Sequence, residues 1–138
     1  MGRVINPDSA GKERNRLAKS TVLALRELMK QTQPDDTSRD LAAYIALTLQ
    51  AISETIETSV TAWEKKGYWL KADRFRMEWD WSARLGEQMK RAVLAEDWGQ
   101  IALIAAQVGG KLSSVQVAER NRLGQPWVGA RQVLREKA

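Results

Sequence analysis

The chain has 138 residues, a formal net charge of +5, and neither histidine nor cysteine. Its length fits one domain with a core of its own. The two missing residue types exclude Ser-His-Asp triads, cysteine nucleophiles, and zinc or haem sites built on His or thiolate. Catalysis would have to rely on carboxylates, Lys, Tyr, Ser, Thr or an oxygen-bound Mg²⁺, and no recognisable set of these occurs. The composition therefore favours binding over chemistry, and no cofactor is predicted.

Nothing in the sequence predicts a membrane span or a secretory signal. No apolar run approaches the ~20 residues needed to cross a bilayer, and residues 1–15 are polar. We therefore expect a cytoplasmic protein that forms a single helical domain over residues 1–138. Residues 1–8 are expected to be a flexible N-terminus, and residues 111–138 a C-terminal segment that wraps over the helices.

The first helix is predicted to begin between Asn6 and Lys12 and to end near Gln31. Five cations on this helix lie within about 40° of one direction, although Leu23 interrupts them. They would span roughly 27 Å and could follow several phosphates of RNA or DNA. The alternatives are a solvated face that happens to be basic, or a contact with an acidic protein or an anionic membrane surface. This basic row consists of Lys12, Arg16, Lys19, Arg26 and Lys30.

The second helix is predicted to be capped by Asp36 or Thr37 and to run to about Lys66, with Gly67 ending it. One apolar stripe repeats with a period of ~3.67, which keeps it nearly straight along the helix. Its members are Leu41, Ile45, Leu49, Ile52, Ile56, Val60 and Trp63. A second apolar face is formed by Tyr44, Leu47, Ala51 and Ala62. So much apolar surface predicts a helix that is central among other helices or buried in an oligomer.

The third helix starts within a few residues of Gly67, so it is expected to run antiparallel to the second. Its predicted core face consists of Ala72, Phe75, Trp79, Leu85, Met89 and Val93. Trp81 is expected to project away from this core, in a patch that also holds Leu70, Arg74, Met77 and Arg84. An exposed Trp beside arginines is typical of protein interfaces and can stack on a base. Alternatively, the C-terminal segment covers the patch.

A fourth, short helix is predicted from Asp97 to Gly109-Gly110, with Gln100 as the reciprocal half of a capping box. It is apolar on nearly all sides and is therefore expected to be buried. Residues 111–127 are predicted to be extended, and a final short helix is predicted from about Val128 to Glu136. Cations near the end of the chain could extend the basic row, or could equally form a solubilising tail: Arg120, Arg122, Arg131, Arg135 and Lys137.

Two glutamates three residues apart on the second helix are the one candidate for a metal site. Glu54 and Glu57 form a Glu-x-x-Glu pair, which holds Mg²⁺ in all-α nucleotide pyrophosphohydrolases. The downstream Glu-x-x-Asp motif of those enzymes is missing here, and both glutamates lie on the polar arc of the helix. A solvated face is therefore predicted, and no metal site.

The predicted fold is all-α: a mainly antiparallel helical bundle of three long helices plus a short fourth, with an extended C-terminal segment packing over it. The predicted function is non-enzymatic binding or assembly, by self-association or as a subunit of a larger complex. RNA or DNA backbone binding through the basic row is the alternative, and a Mg²⁺-dependent enzyme is a third. The residues predicted for the protein interface are Leu70, Arg74, Met77, Trp81, Arg84, Tyr44 and Leu47.

Overall fold

A computed structural model describes residues 7–118 and 124–138, and this part of the chain is helical and contains no strand. A short 3-10 turn at Pro7–Ser9 precedes five α-helices that pack together, which confirms the predicted all-α class. The helices are α1 (Ala10–Met29), α2 (Asp36–Lys65), α3 (Trp69–Leu94), α4 (Trp98–Lys111) and α5 (Ala130–Lys137). Among the described helices, none is long and apolar enough to cross a membrane.

Aspartates begin α2 and α4. Asp35 Oδ1 accepts a hydrogen bond of 2.9 Å from the Ser38 N–H, so α2 is capped one residue earlier than predicted. Asp97 Oδ1 accepts one of 3.2 Å from the Gln100 N–H, which confirms the predicted start of α4. The Asp97 N–H itself donates to Ala92 O at 2.9 Å, so this donor is already satisfied without the reciprocal half of a capping box.

Gly67 ends α2, as predicted. Its φ of +82° lies in the left-handed region, which glycine adopts without a steric penalty. The Gly67 N–H donates to Glu64 O at 3.0 Å, and the Tyr68 N–H donates to Trp63 O at 2.9 Å. This pair of bonds is the Schellman arrangement, and it places the first residue of α3 only a few positions after the last of α2.

The helix α2 is central, because it contacts α1, α3 and α5. Six members of its predicted stripe are buried: Leu41, Ile45, Leu49, Ile52, Ile56 and Val60. The seventh, Trp63, is partly buried. The second apolar face is partly buried as well, and three of its members pack against the core: Tyr44, Leu47 and Ala51. The prediction of a central helix is confirmed.

Gly86 allows α3 to approach α2 closely. A Cβ added at this position would lie 3.1 Å from the Leu49 Cβ and 3.4 Å from the Gln50 N. The first distance is shorter than is usual for a Cβ contact, and the second lies at the lower edge of ordinary van der Waals contact. The two helices can therefore lie this close together because residue 86 has no side chain.

The expectation that Trp81 projects away from the core is wrong. Its side chain is only 5% exposed, and its ring stacks on that of Trp79 with 5.6 Å between centroids. The reason is helical spacing. Trp81 stands four residues before Leu85 and eight before Met89, which are both buried, so all three share one face of α3.

Two expectations about α4 are also wrong. The helix does not stop at Gly109-Gly110 but continues through both glycines to Lys111, because neither of them adopts a positive φ. It is not buried on nearly all sides either. Only one stripe of α4 is buried against the other helices, namely Ile101, Ile104 and Val108.

The predicted final helix is confirmed as α5, which begins two residues later than expected. Three side chains at and before it are buried: Trp127, Ala130 and Leu134. Of the segment predicted to be extended, residues 112–114 form a turn and 115–118 have no regular structure. Arg120 and Arg122 lie outside the described residues, as do residues 1–6 of the expected flexible N-terminus.

Candidate interaction surfaces

Part of the basic row on α1 is covered by the segment that follows α4. The Arg26 guanidinium donates hydrogen bonds to Val117 O at 2.9 Å and to Ala118 O at 3.1 Å. Leu23, which interrupts the row, is buried with 1% of its surface exposed. Arg26 therefore binds the backbone of the segment that follows α4, and this contact is a structural one.

Two further members of the row form ion pairs within α1. Arg16 Nη2 lies 2.7 Å from Glu13 Oε1, and Lys30 Nζ lies 3.1 Å from Glu27 Oε1. The hydrogen bond from Arg16 to Glu13 raises the pKa of Arg16. The remaining two members are exposed: Lys12 and Lys19. The structure does not bring the five cations together into one unpaired row.

A further arginine of α1, Arg14, is absent from the basic row and joins three helices. Arg14 Nε donates to Thr55 Oγ1 at 3.2 Å, and its Nη2 donates to Ser59 Oγ at 2.8 Å and to Thr55 O at 3.3 Å. The guanidinium carbon lies 4.7 Å from the centroid of the Phe75 ring on α3. Burial lowers the pKa of Arg14. The Arg14 guanidinium therefore makes its contacts with side chains of α2 and α3 inside the protein.

Four aromatic rings form a continuous row along α2 and α3. Trp63 meets Phe75 edge-on at 5.0 Å between centroids, Phe75 lies 6.4 Å from Trp79, and Trp79 stacks on Trp81. The Lys71 Nζ lies 4.4 Å from the centroid of Trp63. These rings therefore already have partners inside the molecule.

Large apolar side chains are exposed where α2 meets α3. Tyr68, Trp69, Leu70 and Met77 are between 54% and 76% exposed, and the first three of them line a groove of about 700 Å³. Four exposed cations lie near them in the sequence, and the last two of these also line the groove: Lys65, Lys66, Lys71 and Arg74. We call these eight residues the junction surface. Three residues of the predicted interface lie in it, namely Leu70, Arg74 and Met77, whereas Tyr68 and Trp69 were not predicted.

The other residues of the predicted interface lie outside the junction surface. Arg84 is exposed farther along α3, and Tyr44 and Leu47 are partly buried on α2. Trp81 is buried, as described above. The structure therefore does not bring the seven predicted interface residues together into one patch.

The helix α4 has an exposed side without charge. No charged residue occurs from position 98 to position 110, and the side turned away from the core exposes mostly small residues. Leu103, the one large apolar side chain on it, is 52% exposed. We call five of these exposed residues the outer face of α4, namely Ala102, Leu103, Ala106, Gly109 and Gly110, while Gly99, Gln100 and Gln107 are exposed as well.

The two glutamates considered for Mg²⁺ are exposed on α2. Glu57 Oε1 lies 3.9 Å from Arg76 Nε, so its nearest charged neighbour is a cation. Within residues 7–118 and 124–138, no three His, Cys, Asp or Glu side chains come together in a way that could hold a metal ion.

One carboxylate joins the ends of three helices. Glu96, which follows α3, has a φ of +52°, unusual for a residue with a side chain. It accepts a hydrogen bond from Arg39 Nε on α2, and its Oε1 lies 3.8 Å from Arg131 Nη2 on α5. The hydrogen bond with Arg39 lowers the pKa of Glu96 and raises that of Arg39.

In comparisons with known proteins, no family model, no curated protein and no solved structure matches this chain. What the protein binds must therefore be inferred from its own residues. Exposed apolar side chains occur on the junction surface and on the outer face of α4, and large ones also occur singly in sequence at Met29, Leu94, Val128 and Val133.

Proposed function

We propose that this protein is a non-enzymatic assembly module that self-associates through the outer face of α4. The observation that carries the proposal is the run of thirteen residues without charge, eight of which are exposed. Surface helices of a globular protein normally carry charged or polar residues on the side away from the core. An uncharged outer side is typical of a helix that is covered in the assembled protein.

The outer face suits a second copy of itself. In an antiparallel pair of α4 helices centred at the level of residue 104, Ala102 of one copy meets Ala106 of the other. Small side chains at such a contact allow the helix axes to lie close together. The same register places Asp97 of one copy near Lys111 of the other, so the charges at the two ends attract each other. A two-fold axis produces both contacts twice.

The remaining architecture belongs to this proposal too. We propose a mainly antiparallel bundle of α1, α2 and α3 in one domain, with the C-terminal segment packed over it. The contacts between Trp63 and Phe75 and between Leu49 and Gly86 support an antiparallel α2 and α3, because the partners run in opposite directions along the chain. The predicted cytoplasmic location and the predicted binding of nucleic acid through the basic row stay predictions.

Sedimentation equilibrium over about 1 to 300 μM protein tests the self-association. The 14-residue α4 covers less surface than the ~800 Å² per partner of a standard interface, so we expect a dissociation constant on the order of 10 μM. Leu103→Lys puts a charge at the centre of the contact, and this variant should stay a monomer throughout. Leu70→Lys is the matched control, since it changes an exposed leucine outside α4 and should leave the dimer intact.

Two outcomes would refute the proposal. One is a wild-type protein that stays a monomer at the highest concentration. The other is a Leu70→Lys variant that loses the dimer as completely as Leu103→Lys does, because the association would then not depend on α4.

A further inference from the structure

We infer that the junction surface binds the surface of an anionic phospholipid bilayer, with Trp69 and Leu70 inserted among the lipids and Lys65 and Lys66 near the headgroups. This inference concerns another part of the molecule than α4 and does not rest on the proposed self-association.

Three consecutive side chains with apolar surface are exposed at the start of α3. Tyr68, Trp69 and Leu70 each leave more than half of their surface in water, and Met77 leaves 76%. Contiguous exposed apolar groups on a monomer mark a site of interaction. Trp and Tyr in particular are enriched at the boundary between lipid and water, where the ring is apolar and its polar atom stays wet.

Most of the acids near the junction surface form ion pairs with Arg76. The Arg76 guanidinium lies 3.4 Å from Asp73, 3.5 Å from Glu64 and 3.9 Å from Glu57. These three carboxylates are therefore partly neutralised by one arginine that is not a member of the surface.

The cations of the junction surface keep their charge available. Within the described residues, Lys65, Lys66 and Arg74 make no ion pair, and Lys71 is held over Trp63 by its ring. Glu78 is the acid that lines the groove with Lys71 and Arg74, whereas Lys65 lines a second groove together with Glu57. A net positive surface with apolar side chains at its centre is complementary to negative headgroups over a hydrocarbon layer.

The chemistry of the exposed groups favours lipid over nucleic acid. Leu70 and Met77 are aliphatic, so they cannot stack on a base, whereas they gain from leaving water for hydrocarbon. Two of the rings that could stack on a base already have a cation over them, namely Trp63 under Lys71 and Phe75 under Arg14. The free aromatic surface is limited to Tyr68 and Trp69.

Sedimentation with vesicles tests the inference directly. The full-length protein is mixed with vesicles of phosphatidylcholine alone, or of phosphatidylcholine with about 30% phosphatidylglycerol, in about 50 mM salt. We expect the protein to pellet with the anionic vesicles and to stay in solution with the neutral ones. Raising the salt to about 500 mM should weaken binding, because screening reduces the attraction of the cations.

A matched pair of charge variants locates the contact. Lys65→Gln with Lys66→Gln should weaken vesicle binding about 25-fold, at about fivefold per cation near an anionic surface. Lys12→Gln with Lys19→Gln removes the same charge from exposed positions on α1 and should leave binding nearly unchanged. An equal loss in both double variants would overturn the inference, since net charge alone would then explain the binding.

A matched pair of apolar variants tests insertion. Trp69→Ala should weaken vesicle binding about tenfold, because a large side chain no longer enters the interface. Met29→Ala, at an exposed apolar position of α1 outside both surfaces, should have no effect. Wild-type tryptophan emission should shift to the blue with anionic vesicles, and Trp69→Phe should lack that shift.

Two further results would overturn the inference. The first is no sedimentation with anionic vesicles at the lower salt concentration. The second is tighter binding of a single-stranded oligonucleotide that is lost on Trp69→Ala, which would assign the surface to nucleic acid. Failure of the α4 proposal is seen separately, because the monomeric Leu103→Lys variant should still bind the vesicles.

Discussion

The carboxylate of Asp40, early in α2, accepts a hydrogen bond of 3.0 Å from the backbone N–H of Arg131, 91 residues further along the chain. Its second oxygen accepts one of 3.0 Å from the Gly129 N–H. The first N–H groups of a helix lack partners within the helix, and Gly129 has no side chain with which to supply one. Asp40 therefore acts as the N-cap of α5 from a different helix.

Removing this cap should loosen α5. Asp40→Ala is expected to lower the free energy of unfolding by about 1–2 kcal/mol, the usual cost of losing an N-cap. In this variant, the amide protons of α5 should also exchange faster than they do in the wild-type protein, with the amide protons of α2 as the reference. Urea unfolding and hydrogen exchange measure the two effects. Asp80→Ala, at an exposed position of α3, is the control, and a similar loss there would argue against a specific role for Asp40.

Arg14 should contribute to stability far more than its neighbour Arg16. Arg14→Met removes hydrogen bonds to Thr55 and Ser59 as well as the contact with Phe75, so we expect a loss of about 2 kcal/mol. Arg16→Met removes the same charge and one surface ion pair, and its effect should stay within about 0.5 kcal/mol. Chemical denaturation compares the two variants. Equal effects would contradict the structural role assigned to Arg14.

Gly86 should tolerate no β-branched side chain. In Gly86→Val the added atoms meet Leu49 and the backbone of α2, and overpacking of this kind costs about 1–3 kcal/mol. Gly11→Val places the same side chain in a helix where nothing lies within 4 Å of the new Cβ. Thermal unfolding should therefore show a clear loss for residue 86 only. A Gly86→Val variant as stable as Gly11→Val would mean that α2 and α3 are not held this close.

The ion pair between Glu96 and Arg39 should make stability depend on pH. The hydrogen bond from Arg39 lowers the pKa of Glu96 in the folded protein, so protons bind more readily to the unfolded chain. The stabilisation is present above the ordinary glutamate pKa of about 4.3 and is lost as the pH falls through the lowered value. In Glu96→Gln, the free energy of unfolding should fall less steeply than in the wild-type protein between about pH 5 and about pH 3, which are the approximate limits of this window.

The control for this measurement is Glu54→Gln, an exposed change on α2 that should keep the wild-type pH profile. Asp35 contributes in the same direction in every variant, because the hydrogen bond from the Ser38 N–H lowers its pKa. Some pH dependence should therefore persist in Glu96→Gln. An unchanged slope in that variant would show that Glu96 does not stabilise the folded state through its charge.

The local features of the fold could be predicted from the sequence because they depend on neighbouring residues. The spacing of apolar residues identified the buried stripe of α2, and Gly67 identified its end. Asp97 likewise identified the start of α4. The position of Arg14 carried a signal as well, since it stands three, four and seven residues before the buried Leu17, Ala18 and Thr21.

The remaining features depend on contacts between distant parts of the chain. The contact of Asp40 with α5 spans 91 residues, and no local pattern indicates it. The burial of Trp81 is an exception among these features, because spacing could have predicted it: Leu85 and Met89, both assigned to the core face, stand four and eight residues after it. The apolar composition of α4 predicted burial, but composition cannot tell burial within one chain from burial between two copies.

The 26 residues of α3 correspond to about 39 Å at 1.5 Å per residue. Trp69 stands at one end of this rod, and α4 begins just beyond the other end. Because α3 is one continuous helix that packs along α2, it acts as a spacer between these two places. A surface or molecule bound at Trp69 is thus kept about 39 Å from the first turn of α4, by the same rise per residue. A pair of copies could therefore bridge two attachment points.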